Sequence, residues 1–147
     1  MEHIKGVDST VRKTTAKLKN RAKLVVNERL FTHGYQKAKS IYRIVLDGID
    51  SGANIVSKAV AQDFSEQTLR IKIVGKNKCS GHSECDAILM DKAKVSALPS
   101  LDAFSTDAEL VHEAAIGKIA GEQIIKLMTL GLNKKEAESK IINGFLK

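Results

Sequence analysis

Tryptophan is missing from this 147-residue chain, a single proline interrupts it, and aromatic residues make up 4% of it. Stacking platforms of the kind that hold single-stranded bases are therefore scarce. No apolar run approaches the roughly 18 residues that a membrane-spanning helix needs. No signal-peptide core opens the sequence. Those two absences set the expectation of a protein with no membrane association, working in a reducing cytoplasm. Its two cysteines, Cys79 and Cys85, are then expected to be free thiols. Catalytic signatures are missing as well. There is no G-x-S-x-G and no phosphate-binding G-x-x-x-x-G-K-[ST], and the glycines are scattered. His112-Glu113 is followed by Ala114, Ala115 and Ile116, so it does not open a zinc-protease H-E-x-x-H. The chain is expected to be no enzyme and to bind no nucleotide itself.

What is present is unevenly placed. The net charge of +7 is concentrated in residues 1–45, where Lys5, Lys13, Lys17, Lys39 and Arg43 stand among eleven cations against Glu2, Asp8 and Glu28. A basic third of this kind attracts nucleic acid or an acidic partner. It is equally the solvated face of a strand: Lys17 and Lys19 alternate with Ala16 and Leu18. That alternation and the few aromatics argue against nucleic acid.

Four segments read as strands: Ala22–Phe31, Ala38–Gly48, Ala53–Phe64 and Thr68–Asn77. In the last of these Leu69, Ile71 and Ile73 alternate with Arg70 and Lys72, the period of a half-buried strand. The segments start about 15 residues apart, which suggests stacked coils. A meandering all-β domain accounts for the same segments. From Ala120 the period becomes helical. Ile124, Leu127 and Met128 form one stripe that Ile125 extends, and Gly131 is placed to end the helix. Asn133 and Glu136 form a capping-box pattern before a second apolar face of Ala137, Ile141, Ile142 and Phe145. The result is a helical hairpin, either a cover for the β-structure or a docking surface. Residues 105–122 are ambiguous. Thr106 and Glu109 suggest a helix start, yet Leu110, His112 and Ala114 also alternate with Val111, Glu113 and Ala115 as a strand would.

The residues with metal chemistry are Cys79, His82, Cys85, His112 and Glu113. Cys79, His82 and Cys85 form a C-x₂-H-x₂-C run with no second ligand pair, whereas structural zinc sites close with four ligands. The run reads more simply as a glycine-containing turn, with Cys85 a small buried residue at the head of an apolar stretch.

The series from "CDAILM" through "HEA", "KI", a helix, "GL", "EA" and a closing "NGF" resembles the C-terminal region of the SufB/SufD family of iron–sulfur cluster assembly proteins. Upstream, "NERLFTHG", "SKAVAQ" and "GHSECDA" are similar too. The resemblance implies a mainly β fold: a right-handed parallel β-helix, truncated relative to the family, over residues 1–118, then a short α-helical hairpin over residues 119–147. It implies that "AELVHEA" is a strand. It implies that Cys85 helps hold a transient Fe–S cluster, with Glu113 and His112 beside it and Cys79 and His82 as further candidate ligands. Val111 stands where the family motif has a carboxylate, so one acidic group is missing. A second SufB/SufD-type subunit, in a homo- or heterodimer, and a SufC-type ATPase docked on the C-terminal helices are the implied partners. The alternatives are an interaction module of the same complex that holds no cluster, and a basic nucleic-acid-binding protein.

Overall fold

The computed structural model describes residues 6–147; Glu2 and Lys5 of the basic third lie outside the described residues. Eight strands follow one another: β1 Ser9–Leu18, β2 Lys23–Thr32, β3 Lys37–Leu46, β4 Ser51–Ala61, β5 Glu66–Gly75, β6 Cys79–Leu89, β7 Lys94–Ala103 and β8 Ala108–Lys118. Odd strands pair in parallel in the order β1-β3-β5-β7, here sheet A, and even strands in the order β2-β4-β6-β8, sheet B. The chain thus winds as a two-sheet solenoid of about four turns. Equivalent positions recur every 28 or 29 residues, as in the ladders Ser9↔Lys37↔Glu66 and Asp63 to Asp91. The 15-residue period of the sequence is half of one coil, one strand and one corner.

Each strand alternates, and the inward positions of both sheets meet in a single core. Tyr42, Ile44 and Leu46 from sheet A face Ile55 from sheet B, with Ile71 and Ile73 one coil on. The corners need unusual backbone. Gly34, Asp63 and Asp91 take positive φ at one corner, as do Arg21 and Asp50 at another. Aspartate tolerates this conformation better than most residues, and the corner is tied to the preceding coil, where Asp63 Oδ2 accepts from Gly34 N at 2.7 Å. Gly48 has a different reason. A Cβ there would lie 2.0 Å from the backbone nitrogen of Asn20, so only glycine lets the coils approach.

The strands correct one reading and resolve one ambiguity in favour of the strand that the resemblance implies. Cys79 to Asp86, expected as a turn, belongs to strand β6. The helix suggested by Thr106 and Glu109 is strand β8: its backbone groups pair along β6 over the full length, which outweighs the helix propensity of Ala and Glu. Pro99 sits in β7, the edge strand of sheet A, where a missing N–H costs least.

The hairpin follows as expected: α1 Gly121–Thr129 and α2 Lys134–Phe145. Asn133 Oδ1 accepts from Glu136 N at 3.0 Å, and Glu136 Oε2 accepts from Asn133 N at 2.8 Å, a reciprocal capping box. Gly131 at φ +94° closes α1, donating to the Met128 carbonyl. The hairpin lies on the outer face of sheet B. Arg29 Nε donates to the Leu146 carbonyl at 3.1 Å, and Lys58 sits 5.7 Å above the Phe145 ring. Ala137 and Ile142 are buried, whereas α1 buries nothing and exposes Ile125 and Met128, with Leu130 exposed at its C-cap.

Candidate metal and thiol site

Strand period decides what the C-x₂-H-x₂-C run can do. Residues 79, 83 and 85 of β6 point into the solenoid; residues 82, 84 and 86 point out. Cys79 and Cys85 therefore face inward while His82 faces outward, and the three cannot converge on one ion. Nor can the cysteines bond to each other. Six residues of extended strand separate their Cα atoms by about 20 Å, against the roughly 4.4–6.8 Å of a disulfide. Both are buried free thiols.

The five candidate residues fall into two groups on opposite sides of one sheet. Register pairs Cys85 with Ala114, Ser83 with His112 and Glu84 with Glu113. Inside, His112 Nδ1 lies 2.8 Å from Ser83 Oγ, on the same face as Cys85 and one coil away. Outside, Glu113 lies 3.9 Å from His82 Nε2 and beside Glu84, while His82 Nδ1 is 2.9 Å from Asn54 Oδ1. Cys85 and Glu113 are thus on neighbouring coils, but their side chains leave the sheet in opposite directions. Among the described residues no three His, Cys, Asp or Glu side chains gather closely enough to hold a metal ion. The Glu84 carboxyl is raised by its hydrogen bond with Asp86, by partial burial and by the charges of Asp86 and Glu113; His82 opposes. This outer patch concentrates negative charge next to an imidazole.

The interior holds a residue that the sequence reading passed over. Glu28 is buried on β2, in the same ladder as Ser57 and Cys85. Its carboxylate accepts from the hydroxyls of Ser40, Tyr42 (3.0 Å) and Ser57 (2.7 Å). Ladder position and hydrogen bonds make Glu28–Ser57–Cys85 one polar seam in an apolar core. A void of about 10 Å³ runs beside it, lined by Glu28, Ser40, Ser57, Gln67 and Cys85. The signal was available: Glu28 continues the inward series Leu24, Val26, Leu30, where a carboxylate is out of place.

Burial pushes the Cys85 thiol up to about 11, with the charges of Asp86 and Glu28 adding to it. Cys79 is raised by burial, and a backbone hydrogen bond from Asn77 opposes this. Cys85 is thus a protonated, sheltered thiol at neutral pH. Two units above the ordinary value leave about 100-fold less thiolate, so iodoacetamide should modify Cys85 at least about 100-fold more slowly in the native protein than in urea. Labelling of native Cys85 at the unfolded rate would contradict the burial.

A parallel two-sheet solenoid with thiols turned inward near its last coil defines a class of β-solenoid proteins, and the comparisons identify which. The family model described as SUF system FeS cluster assembly, SufBD core domain, matches residues 4–145. The chain belongs to the SufBD family of iron–sulfur cluster assembly proteins. An iron-sulfur cluster assembly SufBD family protein of Methanothermobacter thermautotrophicus is 41% identical over 106 residues, covering 71% of this chain and 26% of that protein. One of Pyrococcus horikoshii is 44% identical over 93 residues, 62% of this chain and 21% of its own length. The SufBD family protein ycf24 of Galdieria sulphuraria is 28% identical over 120 residues, 79% of this chain and 54% of its own length. The chain therefore spans between about a fifth and a half of these relatives. No described helix is long and apolar enough to cross a membrane.

Proposed function

We propose that this chain is a scaffold segment that helps hold a nascent iron–sulfur cluster as cargo, with no catalysis of its own. The observation that carries the reading is the SufBD core match across residues 4–145. Thiolate is the usual cluster ligand, and Cys85 is the thiol one coil from the end of the solenoid. Iron must displace its proton, so loading is favoured by rising pH. His112 shares its face; Glu113 and His82 stand on the outer surface, where a second subunit can reach them. The outer edges of β7 and β8 have no further strand among the described residues, and such edges pair with another chain. A second SufB/SufD-type subunit at this end would complete a ligand set that one copy leaves open. The exposed Ile125, Met128 and Leu130 on and after α1 support the helical hairpin as the dock for a SufC-type ATPase, which would supply the hydrolysis. A cytoplasmic location fits this role.

The divided placement of the candidate ligands favours a second reading, an interaction module of the same complex that holds no cluster. Anaerobic reconstitution with iron and sulfide separates the two. The scaffold reading predicts iron and sulfide co-eluting with the desalted protein, with visible charge-transfer absorption. Folded protein that elutes free of both would establish the interaction module instead.

A further inference from the structure

The outer face of sheet A gathers positive charge. The helical hairpin makes its contacts on sheet B; on the outer face of sheet A Val11, Lys13, Arg43, Arg70 and Lys72 are exposed, while Lys39 and Ile41 are half-buried. The solenoid stacks cations there from separate parts of the chain. Register sets Val11 beside Lys39, Lys13 beside Ile41 beside Arg70, and Arg43 beside Lys72. At the margins the charge is balanced internally. Lys37 and Lys94 flank Glu66 at 3.5 and 4.0 Å, Lys72 meets Asp102 at 2.8 Å, and Lys17 meets Asp47 at 3.3 Å. In the middle it is not: Lys13, Lys39, Arg43 and Arg70 make no ion pair among the described residues. The register keeps these four cations from standing directly opposite one another, and Arg43 faces Lys72, which is already paired with Asp102, so their charge is left for a partner to neutralise.

The apolar side chains between these cations identify the partner. Val11, Ile41 and Leu98 lie among them, and Val11 and Leu98 are exposed. Apolar side chains set among uncompensated cations suit a protein surface that offers apolar contact together with carboxylates, where complementary charge steers and fixes the encounter. Nucleic acid fits less well. Single strands need aromatic platforms, and the outward positions of sheet A carry no aromatic residue. A duplex is read by an element that enters a groove, and this face is a flat sheet. Four strands of ten residues give a face of about 30 by 15–20 Å, or roughly 500–600 Å², approaching the ~800 Å² per partner of a standard interface.

We infer that the outer face of sheet A is a docking surface for an acidic protein partner, one that presents carboxylates around an apolar centre to Lys13, Lys39, Arg43 and Arg70. This surface is separate from the solenoid end and from the helical hairpin, and it does not depend on cluster binding.

The probe is a labelled peptide of about 16 residues, glutamates interspersed with leucines, titrated by fluorescence anisotropy at low and high salt. The test variant is K13E/K39E/R43E/R70E. The control, K23E/K76E/K78E/K92E, has the same net charge but alters exposed lysines outside the sheet A face, the helical hairpin and β8. Docking on sheet A predicts at least about tenfold weaker binding for the test variant and less than about threefold for the control. Equal losses in both would show that net charge alone attracts the peptide and would overturn the proposal. A duplex DNA of about 20 base pairs, bound more tightly than the peptide and released by the same test variant, would make nucleic acid the partner and also overturn it. Circular dichroism checks folding; should charge reversal unfold the chain, the two glutamine quadruple variants replace it with the same expected order.

Discussion

Glu28→Ala should lower the unfolding free energy by about 3 kcal/mol, since it leaves three buried hydroxyls without an acceptor and each such orphan costs about 1–3 kcal/mol. Ser40 and Tyr42 come from sheet A, Ser57 from the next coil of sheet B, so the carboxylate ties both sheets and two coils together. The removed charge itself returns some desolvation energy, which keeps the loss below the sum of three orphans. In a domain of this size the melting temperature should fall by roughly 10 °C. Urea unfolding followed by circular dichroism checks it. Glu28→Gln keeps an acceptor oxygen and should recover part of the loss. A change below about 0.5 kcal/mol in Glu28→Ala, the scale of an ordinary surface substitution, would mean that the seam contributes nothing to stability.

Alkali should unfold this protein more readily than mild acid. Two core groups are held in their neutral forms. Cys85 rises from an ordinary 9.0 to about 11 through burial first, and Tyr42 rises from 10.0 to about 12 through burial and then the Glu28 charge, against the opposing Arg12. For an acid favoured in its neutral form, the stabilisation is complete below the unfolded value and disappears as pH rises through the folded value. The window therefore runs from about pH 9 to pH 12. Each two-unit shift corresponds to about 3 kcal/mol. Cys85→Ser should flatten the part between pH 9 and 11 and leave the tyrosine part. Asp47 acts on the other side. Its hydrogen bond with Lys19 holds it down to about 2, so its contribution is present above an ordinary 3.8 and is lost as pH falls through 2. A melting temperature that stays level between pH 9 and 12 would contradict the sheltering of both core groups.

The repeat could be read from the sequence because strand and corner recur every half coil, and the alternation of Leu69, Ile71 and Ile73 with Arg70 and Lys72 marks an inward and an outward face. The capping box at Asn133 and Glu136 and the glycine after α1 were equally plain, since both are local devices. The site was harder. Gly81, His82 and two serines make Cys79 to Asp86 look like a turn. What makes it a strand is hydrogen bonding to β4 on one side and β8 on the other, from residues 28 or 29 positions away. Once it is a strand, parity alone separates the cysteines from His82, and separates His112 from Glu113. The pairing of Glu28 with Ser40, Tyr42 and Ser57 depends on which coils stack, and the register supplies that. Membership of the SufBD family, by contrast, rests on an ordered series of short segments, and the match over residues 4–145 bears it out.

The central claim, that Cys85 is a cluster ligand, is tested most directly by anaerobic iron–sulfide reconstitution of wild type, Cys85→Ser and Cys79→Ser, with iron and sulfide analysis after desalting. The account predicts that Cys85→Ser loses bound iron and sulfide while keeping its circular dichroism spectrum, and that Cys79→Ser retains both. Iron and sulfide retained by Cys85→Ser at the wild-type level would contradict it.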